Sequence, residues 1–177
     1  KQARLNLWGQ HKGYGYNVGL AFAGEEEVKA PSPGVSLNLL DFNLDVPLPG
    51  GAKAKVGQFK IPYSRERLAD SGYMQFVDRS IQNLAFRMGR DVGAAVHAYP
   101  GPLAVSLGVF AGGGTDVPEG YLPEELGFPL LVLRAGFDNG VDRDMYNVRQ
   151  YEKELNKTRA AFFVNGLFMK DSLVGHS

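Results

Sequence analysis

The run DVGAAVHAYPGPLAVSLGV, residues 91–109, contains the clearest hairpin pattern in the chain. Apolar side chains alternate with small or polar ones on both sides of Pro100-Gly101-Pro102, a tripeptide typical of turns. A period of two places every second residue on the same face of a strand. The run therefore predicts two antiparallel β-strands that share one apolar face and one small, polar face.

The same alternation recurs along the chain between turn signals. One stretch, residues 34–47, changes phase midway, and a β-bulge near Leu39-Leu40 would reconcile its halves. Short turns alternate with long connections, which is typical of outer-membrane barrels. We predict an all-β, transmembrane antiparallel β-barrel fold in which this chain supplies eight strands: 4–10, 14–23, 34–47, 52–57, 91–97, 103–109, 130–137 and 160–169.

Composition narrows the class of protein. The 23 glycines, 8 tyrosines and 11 phenylalanines favour a β-rich chain. The formal net charge is zero, so the chain has no overall positive charge that would attract nucleic acid. Any affinity for anions must come from local clusters of basic residues. Cysteine is absent, which excludes a thiol nucleophile, a thiolate zinc site and a disulfide scaffold. No stretch approaches the roughly 20 apolar residues of a membrane helix.

We expect both ends of the chain to be cuts in a longer, exported protein. The N-terminus opens directly into patterned sequence without a signal peptide, and the C-terminus lacks the terminal aromatic residue of outer-membrane barrels. We therefore expect residues 1–177 to form one partial barrel domain.

Two short runs carry a family resemblance. Residues 56–64, VGQFKIPYS, are followed by Glu66-Arg67, and residues 89–93 read GRDVG. These runs and their spacing resemble the phosphate-selective porin O and P family. The resemblance implies a barrel of about 16 strands in the bacterial outer membrane, in contact with lipid and assembled as a homotrimer. It also implies that residues 62–90 are a long loop that folds inward, with Arg67 at a basic constriction position.

The charges of this segment support an anion site independently. Six basic and four acidic residues lie between Lys60 and Asp91. Arginine keeps its charge and offers a planar fork of donors that suits phosphate oxygens. An equally simple reading makes these side chains ordinary solvated surface charges. The candidate anion-binding residues are Lys60, Arg65, Arg67, Arg79, Arg87 and Arg90.

Lys53 and Lys55 alternate along their predicted strand in the same way as Asp41, Asn43 and Asp45 along the strand before it. We expect neutralising pairs between these two strands.

Nothing in the sequence predicts an enzyme, a cofactor or a metal site. The three histidines have no metal-ligand spacing and no neighbouring cysteine, and His97 is expected to be a polar residue that faces the pore. No nucleophile elbow or catalytic triad is present. The polar segment from Asp144 to Arg159 is predicted to be an exposed loop or a short helix.

Four functions remain open at this point. The first is an outer-membrane porin through which small anions such as phosphate diffuse passively. The second is a barrel that acts as a scaffold around a lipoprotein or an electron carrier. The third is a soluble all-β binding domain whose apolar stripes are buried between two sheets. The fourth is a complete eight-stranded barrel, although inner faces rich in glycine, alanine and serine would underfill it.

Overall fold

The computed structural model describes residues 3–23, 38–69, 80, 88–112, 129–138, 146 and 160–168. These residues form eight strands, one short α-helix, α1 (Arg65–Leu68), and a single 3₁₀ turn at Pro49–Gly51. No helix in these ranges is long and apolar enough to cross a bilayer. The strands are β1 (Ala3–His11), β2 (Tyr14–Ala23), β3 (Asn38–Pro47), β4 (Lys53–Lys60), β5 (Arg90–Ala98), β6 (Leu103–Phe110), β7 (Leu130–Asp138) and β8 (Ala161–Phe168).

The eight strands form one antiparallel sheet whose spatial order is the chain order. All eight predicted strands are therefore confirmed, and the all-β antiparallel fold with them. Residues 34–37, the first part of the predicted third strand, lie outside the described residues. Within the described ranges β1 and β8 each pair on one side only, so the sheet is open rather than a closed barrel of eight strands.

The predicted bulge in β3 is confirmed at Leu40. Gly19 of β2 stands opposite Asp41, while Leu20 stands opposite Leu39, so Leu40 has no direct partner. One extra residue moves all following side chains to the other face relative to the strand start. The phase change in the sequence is thus a real shift of register.

Register divides the side chains of the sheet between two faces, because directly opposed residues share a face. We call one face apolar and the other polar. A row of the apolar face runs through Gly9, Tyr16, Leu44, Val56, Ala94, Val109, Leu131 and Phe168. The adjacent row of the polar face runs through Gln10, Gly15, Asp45, Lys55, Ala95, Gly108, Val132 and Leu167.

Burial is the reverse of that in a water-soluble domain. In β6 the apolar-face residues are exposed, as with Leu107 at 58% exposure, whereas Ser106 on the polar face is fully buried. The described strands form a single sheet, so no second sheet covers the apolar rows as the soluble-domain hypothesis required. Strands of 8 to 10 residues are close to the length that crosses a bilayer.

The hydrophobic core lies on the polar face, where the connection between β4 and β5 covers the sheet. Ile61 and Met88, at the two ends of that connection, pack with Phe110, Leu130 and Val132. The pairing of β4 with β5 continues one step further, because the Ile61 amide donates to the Gly89 carbonyl at 3.1 Å. Within the described residues the core thus includes Phe59 of β4 and residues of β5 to β7, and we call the rest of the polar face, toward β1, its open half.

Candidate functional site

The open half of the polar face lines a cavity of about 650 Å³. Five basic side chains contribute to its wall, against two acidic ones, Asp41 and Asp45. The walls also carry asparagine amides and the indole of Trp8, which is 77% exposed. The basic residues of the cavity are Arg4, Lys53, Lys55, Lys60 and Arg90.

Both acids of the cavity are bound by basic neighbours. The Lys55 ammonium lies 2.6 Å from Asp45, the residue directly opposite it, and also donates to Asn43 at 3.1 Å. This confirms the predicted cross-strand pairing for Lys55. Lys53 differs, since it stands opposite Pro47 and His97 and is exposed to solvent.

Arg90 reaches across β4 to the second acid. Its Nε and Nη2 donate to the two oxygens of Asp41 at 3.1 and 3.2 Å, and the side chain is buried. Bidentate pairs of this kind fix a guanidinium firmly. Arg90 therefore links β3 to β5 across the wall of the cavity, in addition to contributing its charge.

The run from Gly57 to Lys60 is part of the family resemblance, and each of its residues makes a different structural contact. Gly57 has φ +122°, and a Cβ there would lie 2.2 Å from the Phe42 carbonyl oxygen. Gln58 donates from its amide to the carbonyls of Leu39 and Leu40, at 2.8 and 3.0 Å. It thereby satisfies backbone acceptors at the β3 bulge, where the ladder is interrupted.

The last two residues of that run alternate along β4, yet both contribute to the cavity on the polar side. Phe59 is buried in the hydrophobic core, and its ring meets that of Phe110 edge-on at 5.4 Å. Lys60 lines the cavity opposite Arg90. The structure thus brings together two of the predicted anion-binding residues, Lys60 and Arg90.

The run from Arg90 to Gly93 begins β5, directly after the connection from β4. The buried carboxylate of Asp91 accepts hydrogen bonds from the amides of Val92 and Gly112, both at 2.7 Å, and so ties the end of β6 to the start of β5. At Gly93 the Val109 carbonyl oxygen and the ring of Phe110 occupy the space that a Cβ would need. Asp91 and Gly93 therefore stabilise the packing of the strands around the cavity and do not themselves line it.

The other predicted residues belong to the connection between β4 and β5. Arg65 and Arg67 lie in α1, where Arg67 is buried and Arg65 half-buried, and neither lines the cavity. Glu66 between them accepts hydrogen bonds from the amide and hydroxyl of Ser80, at 2.5 and 2.7 Å. Arg79 and Arg87 lie outside the described residues.

Sequence reasoning missed Tyr146, which lies in the segment predicted to be exposed or helical. Its ring packs against Phe59 and His97, its hydroxyl lies 3.0 Å from His97 Nε2, and the Lys55 ammonium lies 4.9 Å from its centroid. His97 lies on the polar face as predicted, but it is buried and does not line the cavity, so its expected exposure to the pore is not observed. Nothing in the local sequence pattern singled out this tyrosine. The other residues of 144–159 lie outside the described residues.

Sequence reasoning also missed Arg134 of β7. Its side chain is on the polar face between Ser106 and Asn165, and it is buried. The alternation of Leu131 and Leu133 with their neighbours does place Arg134 on that face, so the strand phase contained the signal.

Comparison with known proteins agrees with this architecture. The family model described as phosphate-selective porin O and P matches residues 1–154 of the 177. No curated protein and no solved structure matches the chain. The matched range contains β1 to β7, the cavity and both motif runs. The chain therefore belongs to the phosphate-selective porin O and P family of bacterial outer-membrane porins.

Proposed function

We propose that this porin lets small anions, phosphate among them, diffuse passively through a pore lined by the polar face. The observation that carries the proposal is the excess of basic over acidic side chains in the cavity wall, five against two, in a chain with no net charge. A basic wall raises the local concentration of anions and lowers that of cations. Transport of this kind needs no catalytic group.

The basic side chains of the cavity are partly neutralised by acidic neighbours, which favours passage of an anion over tight binding. Lys55 and Arg90 are compensated by Asp45 and Asp41, so they add less to the field than an isolated charge. Conduction requires sites that attract an ion yet release it. A wall of partly neutralised cations meets both requirements.

We further propose that residues 62–90 fold inward as one loop and form the narrowest part of the pore. The support is the packing of Ile61 and Met88, the residues at its base, on the polar face. In this proposal the loop supplies the charges of Arg65, Arg67, Arg79 and Arg87 to the narrow part of the pore, with Arg67 buried within the loop, and Lys60 and Arg90 form the approach. The expected assembly is a homotrimer of barrels completed beyond β1 and β8.

Conductance across planar lipid bilayers tests the anion pore. The reversal potential in a KCl gradient measures the chloride-to-potassium permeability ratio, and added phosphate tests competition with chloride. Lys53→Gln and Lys60→Gln each remove a charge from the cavity wall. Because one charge about 4 Å away is worth about 1 kcal/mol in water, we expect the permeability ratio to fall about fivefold or less. The change should be smallest in 1 M salt, where the screening length is about 3 Å.

Lys12→Gln is the matched control. Lys12 lies in the turn between β1 and β2 and does not line the cavity, so its loss should leave the permeability ratio unchanged. A cation-selective current, or equal effects of all three substitutions, contradicts an anion pore with this wall. If properly folded protein gives no current at all, the scaffold function takes precedence.

A further inference from the structure

Arg134 is the largest fully buried side chain of the described residues, with 1% of its surface exposed. It lies on β7, on the polar face, and belongs to a row that runs from His97 through Ser106 to Asn165. It lies outside the wall of the cavity. A charged residue in this position does not contribute to the open pore surface, and its presence requires another explanation.

The contacts of Arg134 all hold the guanidinium in place. Nη1 donates to the main-chain carbonyl of Tyr63 at 3.1 Å and to the side-chain oxygen of Asn165 at 3.1 Å. The guanidinium carbon lies 4.0 Å from the centroid of the Phe163 ring. Two of these partners are on β8, next to Arg134 in the sheet, whereas Tyr63 precedes α1 in the connection between β4 and β5.

This arrangement is energetically demanding. A buried guanidinium costs free energy unless its donors are satisfied, and Nε of Arg134 has no hydrogen-bond partner among the described residues. The hydrogen-bond partners within these ranges are uncharged. An apolar side chain would fill the same volume without that cost. What an apolar side chain would lack is the bond to the Tyr63 carbonyl.

We propose that Arg134 is a positioning residue that fixes the loop root, defined here as residues 61–69, against the polar face of β7 and β8. Its hydrogen bond to the root is accepted by the main-chain carbonyl of Tyr63 and not by a side chain. The consequence for transport rests on the proposed function: the loop root carries Arg65 and Arg67, so the anion preference of the pore depends on a residue that never contacts the ion.

Lysine is a poor substitute in this position. The planar guanidinium stacks on Phe163 while the same group donates to Tyr63 and to Asn165, whereas an ammonium is a strongly hydrated point charge that does not stack in this way. Arg134→Lys therefore keeps the charge and loses the geometry. Arg134→Gln loses both the charge and the stacking.

Thiol labelling tests the position of the loop root without reference to transport. The chain has no cysteine, and Ala69 at the end of the root is fully buried, so an Ala69→Cys thiol reports on release of the root. Ala21→Cys on β2 is the matched control, a buried alanine remote from Arg134. The rate of modification by a water-soluble maleimide is measured for both thiols in the folded protein, with and without Arg134→Gln.

We expect Arg134→Gln to accelerate labelling of the Ala69→Cys thiol about tenfold or more, as loss of one hydrogen bond to a charged group allows. Labelling of the Ala21→Cys thiol should not change. The Arg134→Lys variant should fall between wild type and Arg134→Gln. If Arg134→Gln exposes both thiols because it does not fold, Arg134→Lys provides the test. An unchanged rate at the Ala69→Cys thiol in the folded variant overturns the proposal.

Bilayer recordings of the same variants separate this inference from the anion pore itself. Faster labelling together with weaker block by phosphate supports both. Faster labelling in a protein that shows no anion preference in its wild-type form supports the positioning role and contradicts the pore. Wild-type anion preference with an unchanged labelling rate in Arg134→Gln contradicts the positioning role alone.

Discussion

At the scale of single residues, Gly57 shows how backbone and packing constrain the wall of the cavity. Its positive φ favours glycine, and its missing side chain lets the Phe42 carbonyl approach closely. The next residue, Gln58, can then bond the bulge of β3. A single glycine therefore supports the register of β4 against β3.

Gly57→Ala is expected to lower the free energy of unfolding by about 1–3 kcal/mol, the usual cost of one strained backbone position, and by more if the Phe42 carbonyl must move. The measurement is urea unfolding in detergent micelles. Gly50→Ala is the control, since Gly50 has φ +76° with nothing within 4 Å of an added Cβ. Equal losses for the two substitutions would show that backbone strain alone matters and that the close approach at Gly57 does not.

At the scale of the strand, alternation decides which substitutions the bilayer tolerates. Val18 and Asn17 are neighbours in β2, at nearly the same depth, and they point to opposite faces. Val18 stands between Leu7 and Phe42 on the apolar face. Asn17 lines the cavity.

Val18→Lys is expected to destabilise the folded protein by about 2–4 kcal/mol near the bilayer midplane, because the ammonium must enter lipid. Asn17→Lys, which places the same charge in the aqueous cavity, should cost about 1 kcal/mol or less. Refolding into lipid vesicles followed by urea titration gives both values. Similar costs at the two positions would contradict the assignment of the faces.

The sequence predicts the strands well, but it does not predict the contacts between residues that are far apart in the chain. Alternation is a local property, so it identified all eight strands, the phase change near Leu39-Leu40 and the presence of charge pairs between β3 and β4, of which Lys55 with Asp45 is observed. The bond from Arg134 to Tyr63 joins residues 71 positions apart, and no local pattern encodes it. The inward contact of Tyr146 is non-local for the same reason. Lys60 and Arg90 were predicted from the cluster of basic residues between Lys60 and Asp91, and the pairing of β4 with β5 places them opposite each other.

At the scale of the whole molecule, the exposed apolar face extends over every strand of the sheet. It includes Leu7, Phe42, Val96, Leu133 and Val164. Exposed patches of this extent mark a membrane or partner surface in native proteins. In the outer membrane the hydrocarbon chains of the lipid cover it.

Removal of detergent from the purified protein is therefore expected to cause aggregation, because no other surface within the described ranges covers the apolar face. Light scattering during stepwise dilution below the critical micelle concentration measures this. Amphipathic polymer added before dilution should keep the protein dispersed and provides the control. A clear, monodisperse solution without detergent or polymer would contradict the membrane-facing assignment of this face.

The order of the strands has an evolutionary consequence. Each strand pairs only with the strands that precede and follow it in the chain. A gene segment that encodes two successive strands can thus be duplicated or deleted without rerouting any other connection. The circumference of such a protein changes by one hairpin at a time, and the aperture changes with it. Porins of different girth can descend from one ancestor through tandem copying, while point substitutions on the polar face adjust which solutes pass.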